Sequence, residues 1–289
     1  MALLRNIGTT LEMIKWEHSI FALPFALTGA MLAAHGVPRA ATLGWIVVCM
    51  IAARSAAMAF NRWADADLDA ANPRTRMRAI PAGMLTRSFA AGFTVCMSAL
   101  FLLGAWRLNR LTLLLSPIVL VVLFLYSYTK RFTRWSHLFL GLALGLAPTG
   151  AWIAVRGSLD PRILVLTAAV LFWVAGFDVL YACQDEAHDR SSGLLSVPAT
   201  LGVTAAFRIA RLMHLTMLAL LVLLALLFHL GPIAAVGIVA VAALLLWEHL
   251  LVSPRDLSRL NAAFFTMNGV IAVIFFVFVA ADLLIHRPL

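Results

Sequence analysis

The stretch ATLGWIVVCMIAARSAAMAF at residues 41–60, followed at once by NRWADADLD at 61–69, decides how the chain is read. A mainly apolar run of about 20 residues is long enough for a helix to cross a hydrocarbon core roughly 30 Å thick. Asp65, Asp67 and Asp69 then arrive where that helix leaves the membrane. Acids at such a boundary are costly unless hydrated, paired or metal-bound, so their clustering favours function over chance.

The pattern of the second run extends along the chain. Of 289 residues, 63% are hydrophobic and 12% charged, and the mean hydropathy is +0.97. Soluble domains carry about a quarter charged residues, so the composition predicts an all-α, polytopic membrane protein. Nine spans are predicted, near 19–35, 41–62, 84–106, 111–129, 136–155, 162–183, 207–230, 232–252 and 261–285, the first short and holding Pro24. The connections leave no room for a separate soluble domain, so one transmembrane domain is expected over 1–289. Ahead of it, Leu3, Leu4, Ile7, Leu11 and Ile14 recur at helical spacing, as in an interfacial amphipathic helix or a helical lead-in to the first span. Two acids before the apolar stretch argue against a cleaved signal peptide.

Charge sets the expected orientation. With the N-terminus cytoplasmic, sixteen of the 22 Lys and Arg residues fall on the cytoplasmic side and six on the other. This is the positive-inside asymmetry of an inner, cytoplasmic membrane protein. Membrane topology and an anionic substrate account for the net charge of +9, so no nucleic-acid partner is expected. Cys49, Cys96 and Cys183 all lie in predicted spans and read as core residues.

The polar connections are the even ones, and the chemistry is concentrated there. Asp65 and Asp69 are four residues apart, so both face one side of a continuing helix, with Asn61 on the same stripe. Asp185 and Asp189 repeat the spacing after the sixth span. Hard oxygen ligands grouped in this way suit Mg²⁺, which takes one or two carboxylates and completes its shell with water and phosphate. Arg54 lies two turns deeper than Asn61, and an arginine at that depth needs an anionic partner. Tyr126 and Lys130 share a helical face in the next cytoplasmic connection. Arg74 is a candidate phosphate clamp, whereas Arg78, Arg131 and Arg134 read as ordinary positive-inside charges. Asp178 and Glu186 are candidates for acceptor binding or proton removal, His188 reads as a solvated loop residue, and His18 beside Glu17 is a candidate contact for an acceptor carboxylate.

Asn-x-x-x-Asp-x-x-x-Asp at 61–69, Tyr-x-x-x-Lys at 126–130 and Asp-x-x-x-Asp at 185–189, in that order and topology, resemble the UbiA superfamily of intramembrane prenyltransferases. The stretches at 13–25 and 177–198 are similar to its branch linked to the futalosine route to menaquinone. The family usually has Asn-Asp where this chain has Asn61-Arg62, so one carboxylate is missing. The resemblance implies nine helices around a central cavity that opens to the cytoplasm. It also implies two Mg²⁺ ions, held by Asp65 and Asp69 with Asn61 and by Asp185 and Asp189, with Arg54, Asn61, Lys130 and Arg74 assisting at the diphosphate of a polyprenyl donor. An aromatic hydroxy acid, 4-hydroxybenzoate or dihydroxynaphthoate, is the implied acceptor. Asp178 would lie beside it, Tyr126 would face the allylic cation, and the isoprenoid tail would reach toward the lipid bilayer. Haem, chlorophyll and lipid-ether branches share the aspartates and leave other acceptors open. A secondary transporter is the competing class, but it predicts acids near mid-membrane rather than at helix ends.

Overall fold

The computed structural model describes residues 2–14, 19–257, 260 and 267–286. The expectations for Lys15, Glu17, His18 and Arg259, and for the first part of the ninth span, lie outside these residues. The described helices are α1 (Ala2–Ile14), α2 (Ser19–Ala34), α3 (Ala40–Ala64), α4 (Ala66–Ala71), α5 (Arg87–Leu108), α6 (Arg110–Thr129) and α7 (Ser136–Arg156). They continue with α8 (Ile163–Ala182), α9 (Glu186–Ser191), α10 (Val197–Leu201), α11 (Val203–Leu227), α12 (Pro232–Leu251) and α13 (Asn268–Ile285).

Among the described residues, 8 helices are long and apolar enough to cross a membrane: α3, α5, α6, α7, α8, α11, α12 and α13. The expected first span falls on α2, whose start adjoins residues outside the described set, so the eight are a count of the described residues and the expectation of nine stands. Helix α2 is apolar but has only 16 residues. Pro24 lies inside it and lacks the N–H that would continue the ladder, and Thr28 Oγ1 bonds the Pro24 carbonyl at 2.9 Å. The observed bounds of the other spans match their expected positions to within a few residues at most ends.

The packing is that of a membrane protein. Leu103, Ile118, Val121, Leu215, Leu226, Val239 and Leu250 are exposed on the long helices, forming an apolar outer surface. Cys96 is exposed on α5 as well, contrary to its expected core place, whereas Cys49 and Cys183 are buried. The interior centres on Phe25, Trp173, Phe177 and Phe275, with Phe25 and Trp173 ring centroids 5.0 Å apart. The indole of Trp173 donates to Asn268 Oδ1 at 2.8 Å, tying α8 to α13 inside the bundle.

Small residues let the helices meet backbone to backbone, as membrane helices without a hydrophobic drive between them require. A Cβ at Gly141 of α7 would lie 2.3 Å from the Leu171 carbonyl oxygen of α8, and one at Gly29 of α2 would lie 2.3 Å from that of Pro148 in α7. At the end opposite the acidic motifs, the connections are short and capped. Asn109 accepts from the Thr112 N–H and donates to the Ile153 and Ala154 carbonyls. Asp282 of α13 accepts from the Gly231 and Ala234 N–H groups at the start of α12. These caps satisfy helix-end donors and acceptors at that end. The other end is left free to carry long polar connections.

Gly141→Val is expected to lower the melting temperature of the detergent-solubilised protein, with an overpacking cost of about 1–3 kcal/mol. Gly150→Ala is the control, because a Cβ there meets nothing within 4 Å. A thermal scan showing equal stability for both variants would refute the close α7–α8 contact.

Candidate active site

The two acidic motifs are built alike. Helix α3 ends at Ala64, and Asp65 takes φ −98° and ψ 6° before α4 begins. Helix α8 ends at Ala182, a 3₁₀ turn follows over Cys183–Asp185, and Asp185 takes φ −102° and ψ 6° before α9 begins. The first aspartate of each pair thus occupies the bridge region of backbone space, at a break between a long helix and a short one. The expected uninterrupted helix is broken there, but the Asp69 N–H still bonds the Asp65 carbonyl at 2.8 Å, which keeps the four-residue register. Asp65 and Asp69 are 2% and 4% exposed, and Asp67 instead points outward to Arg87.

Each buried carboxylate is met by cations. Lys130 Nζ lies 2.7 Å from Asp65 Oδ2, and Asn61 Nδ2 donates to the same oxygen at 3.0 Å. Arg131 approaches Asp65 Oδ1 at 3.5 Å and bonds the Ala64 carbonyl at 2.8 Å. Arg78 donates to Asp69 Oδ1 at 2.6 Å, and Arg62 Nη1 lies 4.0 Å from Asp69 Oδ2. Arg78 and Arg131 therefore belong to the site rather than to the general positive-inside charge. Arg134 is exposed beside Trp135. Arg62, standing where the family usually has an acid, is buried and turned toward Asp69.

The loop after α4 joins the two motifs. Asn72 Oδ1 accepts from the Arg74 N–H at 2.9 Å, a local turn that aims the guanidinium, while Asn72 Nδ2 donates to Asp185 Oδ1 at 3.2 Å. Arg74 Nε donates to Asp185 Oδ1 at 2.8 Å, and its Nη2 pairs with Oδ2. This two-point fork is the strong form of an arginine–carboxylate pair. Partial burial of Arg74 favours its neutral form, but the bonds and charge of Asp185 outweigh that and hold its pKa above the usual range. The Lys130 carbonyl accepts from the Leu195 N–H at 2.7 Å, linking the α6–α7 connection to the loop after α9.

These groups line a cavity of about 810 Å³ that also holds Arg54, Tyr126, Asp178 and Asp189. Met13 of α1 borders it near the mouth, and Phe21, Leu140, Leu144, Val174 and Phe177 make its apolar walls. Every candidate residue from 54 to 189 that the motifs singled out is brought here, save Asp67 and Glu186, the latter pairing with Arg190 at 2.6 Å. His188 lines the cavity rather than standing in a solvated loop. Among the described residues, no three acidic, histidine or cysteine side chains gather at one point. The physical reason is that Asp65, Asp69 and Asp185 are each turned to a cation. Sequence reading missed His137, whose Nδ1 lies 2.7 Å from Asp178 Oδ2. A single histidine inside an apolar run carries no spacing signal.

The model of the UbiA prenyltransferase family matches residues 22–270. The chain belongs to that family. Among its relatives, the 4-hydroxybenzoate octaprenyltransferase of Nitrosomonas europaea is 32% identical over 255 residues, covering 86% of this chain and 85% of that one. The apo structure of a UbiA homologue from Aeropyrum pernix K1 superposes with a TM-score of 0.84 at 34% identity, covering 92% of this chain and 98% of that one. A UbiA homologue from Archaeoglobus fulgidus, bound to DMAPP and Mg²⁺, shares the fold at 18% identity and a TM-score of 0.71, covering 96% and 99%. The protein is thus a UbiA-type membrane prenyltransferase, and the expected family, helical class and enzyme type hold.

Arg78→Ala is expected to lower kcat/KM for prenyl transfer by the value of one charge-assisted hydrogen bond, about 1.5–3 kcal/mol, or roughly 10- to 150-fold. Exposed Arg76→Ala should change it less than about two-fold. Equal, small effects in a steady-state assay would return Arg78 to the class of surface charges.

Proposed function

We propose that the chain acts as a single domain over 1–289 and transfers a polyprenyl group from its diphosphate to an aromatic hydroxy acid in quinone biosynthesis. The observation that carries this reading is one cavity with an ionic mouth and an apolar interior. Carboxylates, arginines and Lys130 line the mouth, which suits a metal-bound diphosphate. The apolar walls suit an isoprenoid chain and an aromatic ring. The 4-hydroxybenzoate octaprenyltransferase relatives favour 4-hydroxybenzoate as the acceptor, and the dihydroxynaphthoate type is the second reading. An acceptor of the haem, chlorophyll or lipid-ether type lacks such support. Transport is disfavoured because the acids of both motifs collect at helix ends on one side of the bundle.

The donor set fits a divalent ion. All the candidate ligands present oxygen, Asp69 Oδ2 is buried without a hydrogen-bond partner, and Asp189 has no ion pair among the described residues. The homologue bound to DMAPP and Mg²⁺ favours Mg²⁺. Asp65, Asp69, Asp185 and Asp189, with Asn61, would hold it, and when bound it supplies positive charge that makes the diphosphate a better leaving group.

The chain's own residues do the rest. Arg74, Arg78 and Lys130, now on carboxylates, are placed to turn to the diphosphate oxygens, and Arg54 adds a cation deeper in the cavity. Tyr126 presents its ring where the allylic cation forms, a favourable cation–π position. Asp178 faces the acceptor. The apolar walls exclude water that would otherwise quench the cation. The site faces the cytoplasm and the N-terminus is cytoplasmic, as the Lys and Arg distribution supports.

Purified protein in nanodiscs, given Mg²⁺, a polyprenyl diphosphate and 4-hydroxybenzoate, is expected to form the prenylated acid. EDTA, Asp65→Ala and Asp185→Ala should each reduce the rate by more than about 100-fold, since each removes charge that stabilises the leaving group. Preference for dihydroxynaphthoate would reassign the acceptor. Turnover that persists in EDTA would refute the metal-assisted reading.

A further inference from the structure

His137 opens α7 and is 2% exposed, yet it borders the cavity. Its Nε2 lies 3.3 Å from the Val197 backbone nitrogen and its Nδ1 lies 2.7 Å from Asp178 Oδ2. A backbone N–H only donates, so Nε2 must offer its lone pair and the ring proton sits on Nδ1. The ring therefore accepts at Nε2 and donates from Nδ1 to Asp178. A proton on Nε2 would set two donors against each other.

This arrangement fixes one oxygen of Asp178 and leaves the other toward the cavity. The side chain of Asp178 is 19% exposed, and no other hydrogen bond from a described residue reaches it. About 10 Å of helix axis separates Asp178 from Asp185, seven residues further on. The carboxylate therefore lies below the ionic mouth, among Phe177, Val174 and Leu140. A group placed there meets the apolar part of a ligand and not its diphosphate. An apolar wall with one oriented hydrogen-bond acceptor is the usual form of a site that selects a hydroxylated ring.

We infer that His137 is a positioning residue. It orients Asp178 to accept a hydrogen bond from the ring hydroxyl of the aromatic acceptor, and it anchors that carboxylate to Val197, in the segment that follows the second acidic motif. The inference rests on the aromatic-acceptor reading above. A hydroxyl that donates to a carboxylate feeds electron density into its ring, which favours attack by the neighbouring ring carbon. A hydrogen-bonded site of this kind also rejects rings that lack the hydroxyl more strongly than an apolar pocket does.

The test is a double-mutant cycle on the full chain in nanodiscs, using His137→Leu, Asp178→Asn and the pair. Acceptor KM, kcat and Mg²⁺-dependent donor binding are measured for each. His137→Leu is expected to raise the acceptor KM or lower kcat at least ten-fold, with donor binding within two-fold of the unaltered protein. In the Asp178→Asn background the same change should add less than two-fold. His137→Asn, which keeps a donor near the Nδ1 position but falls short of Val197, should restore most of the loss, and it also serves if leucine prevents folding. Additive effects in the cycle, an unchanged acceptor KM and kcat in His137→Leu, or no recovery with asparagine would overturn the inference. Failure of the unaltered protein to prenylate any hydroxylated ring while still binding donor would overturn the aromatic-acceptor reading together with it.

Discussion

Asp65 and Asp69 are buried at the end of a membrane-spanning helix, and the rest of the site is arranged around the cost of that burial. Each carboxylate needs opposing charge close by. Lys130 and Arg131 supply it to Asp65, with a hydrogen bond from Asn61, and Arg78 and Arg62 supply it to Asp69. Removing one member of a buried pair costs about 3–5 kcal/mol, and less where the cation is partly hydrated, as Lys130 is. The same requirement explains the long, basic α4–α5 connection. It is the segment that carries Arg74 to Asp185 and Arg78 to Asp69, and it thereby joins two motifs that are 120 residues apart in sequence (65 to 185). The pairs also define the exchange that ligand binding requires. On the proposed reading, a metal–diphosphate complex would bring cation to the carboxylates and anion to the arginines, so each group would exchange one partner for another with no charge stranded.

The two halves of the site share one backbone device. Asp65 and Asp185 have nearly identical backbone angles, each at a junction between a long helix and a short one. A straight helix would carry the second carboxylate of each pair along the original axis. The break turns it into the cavity mouth while the register keeps it four residues from the first. The opposite end of the bundle shows the contrast: Asn109 and Asp282 close the helix ends there with short caps. Function therefore sits at one end because the helix ends there are held by long-range ionic contacts and not by local ones.

Most of this was legible in the sequence wherever a signal repeats. Asp65, Asp69, Asp185 and Asp189 stand out by spacing, Tyr126 and Lys130 by sharing a helical face, and Arg54 by its depth in an apolar run. Other features have no periodic signature. Arg78 and Arg131 look like any positive-inside charge, because only the folded loop reveals which arginine meets a carboxylate. His137 finds Asp178 and Val197 at separations of 41 and 60 residues, and no local pattern announces such contacts. Arg62 reads as the loss of an acid, yet the fold turns it into a buried cation beside Asp69. Cys96 misled because an apolar residue in a membrane helix is as well placed facing lipid as facing the core.

The cation-paired carboxylates of Asp65, Asp69 and Asp185 are proposed as a metal–diphosphate site. Its most direct test is calorimetric titration of a non-hydrolysable polyprenyl diphosphate analogue into the protein, with and without Mg²⁺, and into Asp69→Asn. The account predicts binding that needs Mg²⁺ and weakens at least ten-fold in the variant. Equal affinity in EDTA, or in Asp69→Asn with Mg²⁺ present, would contradict it.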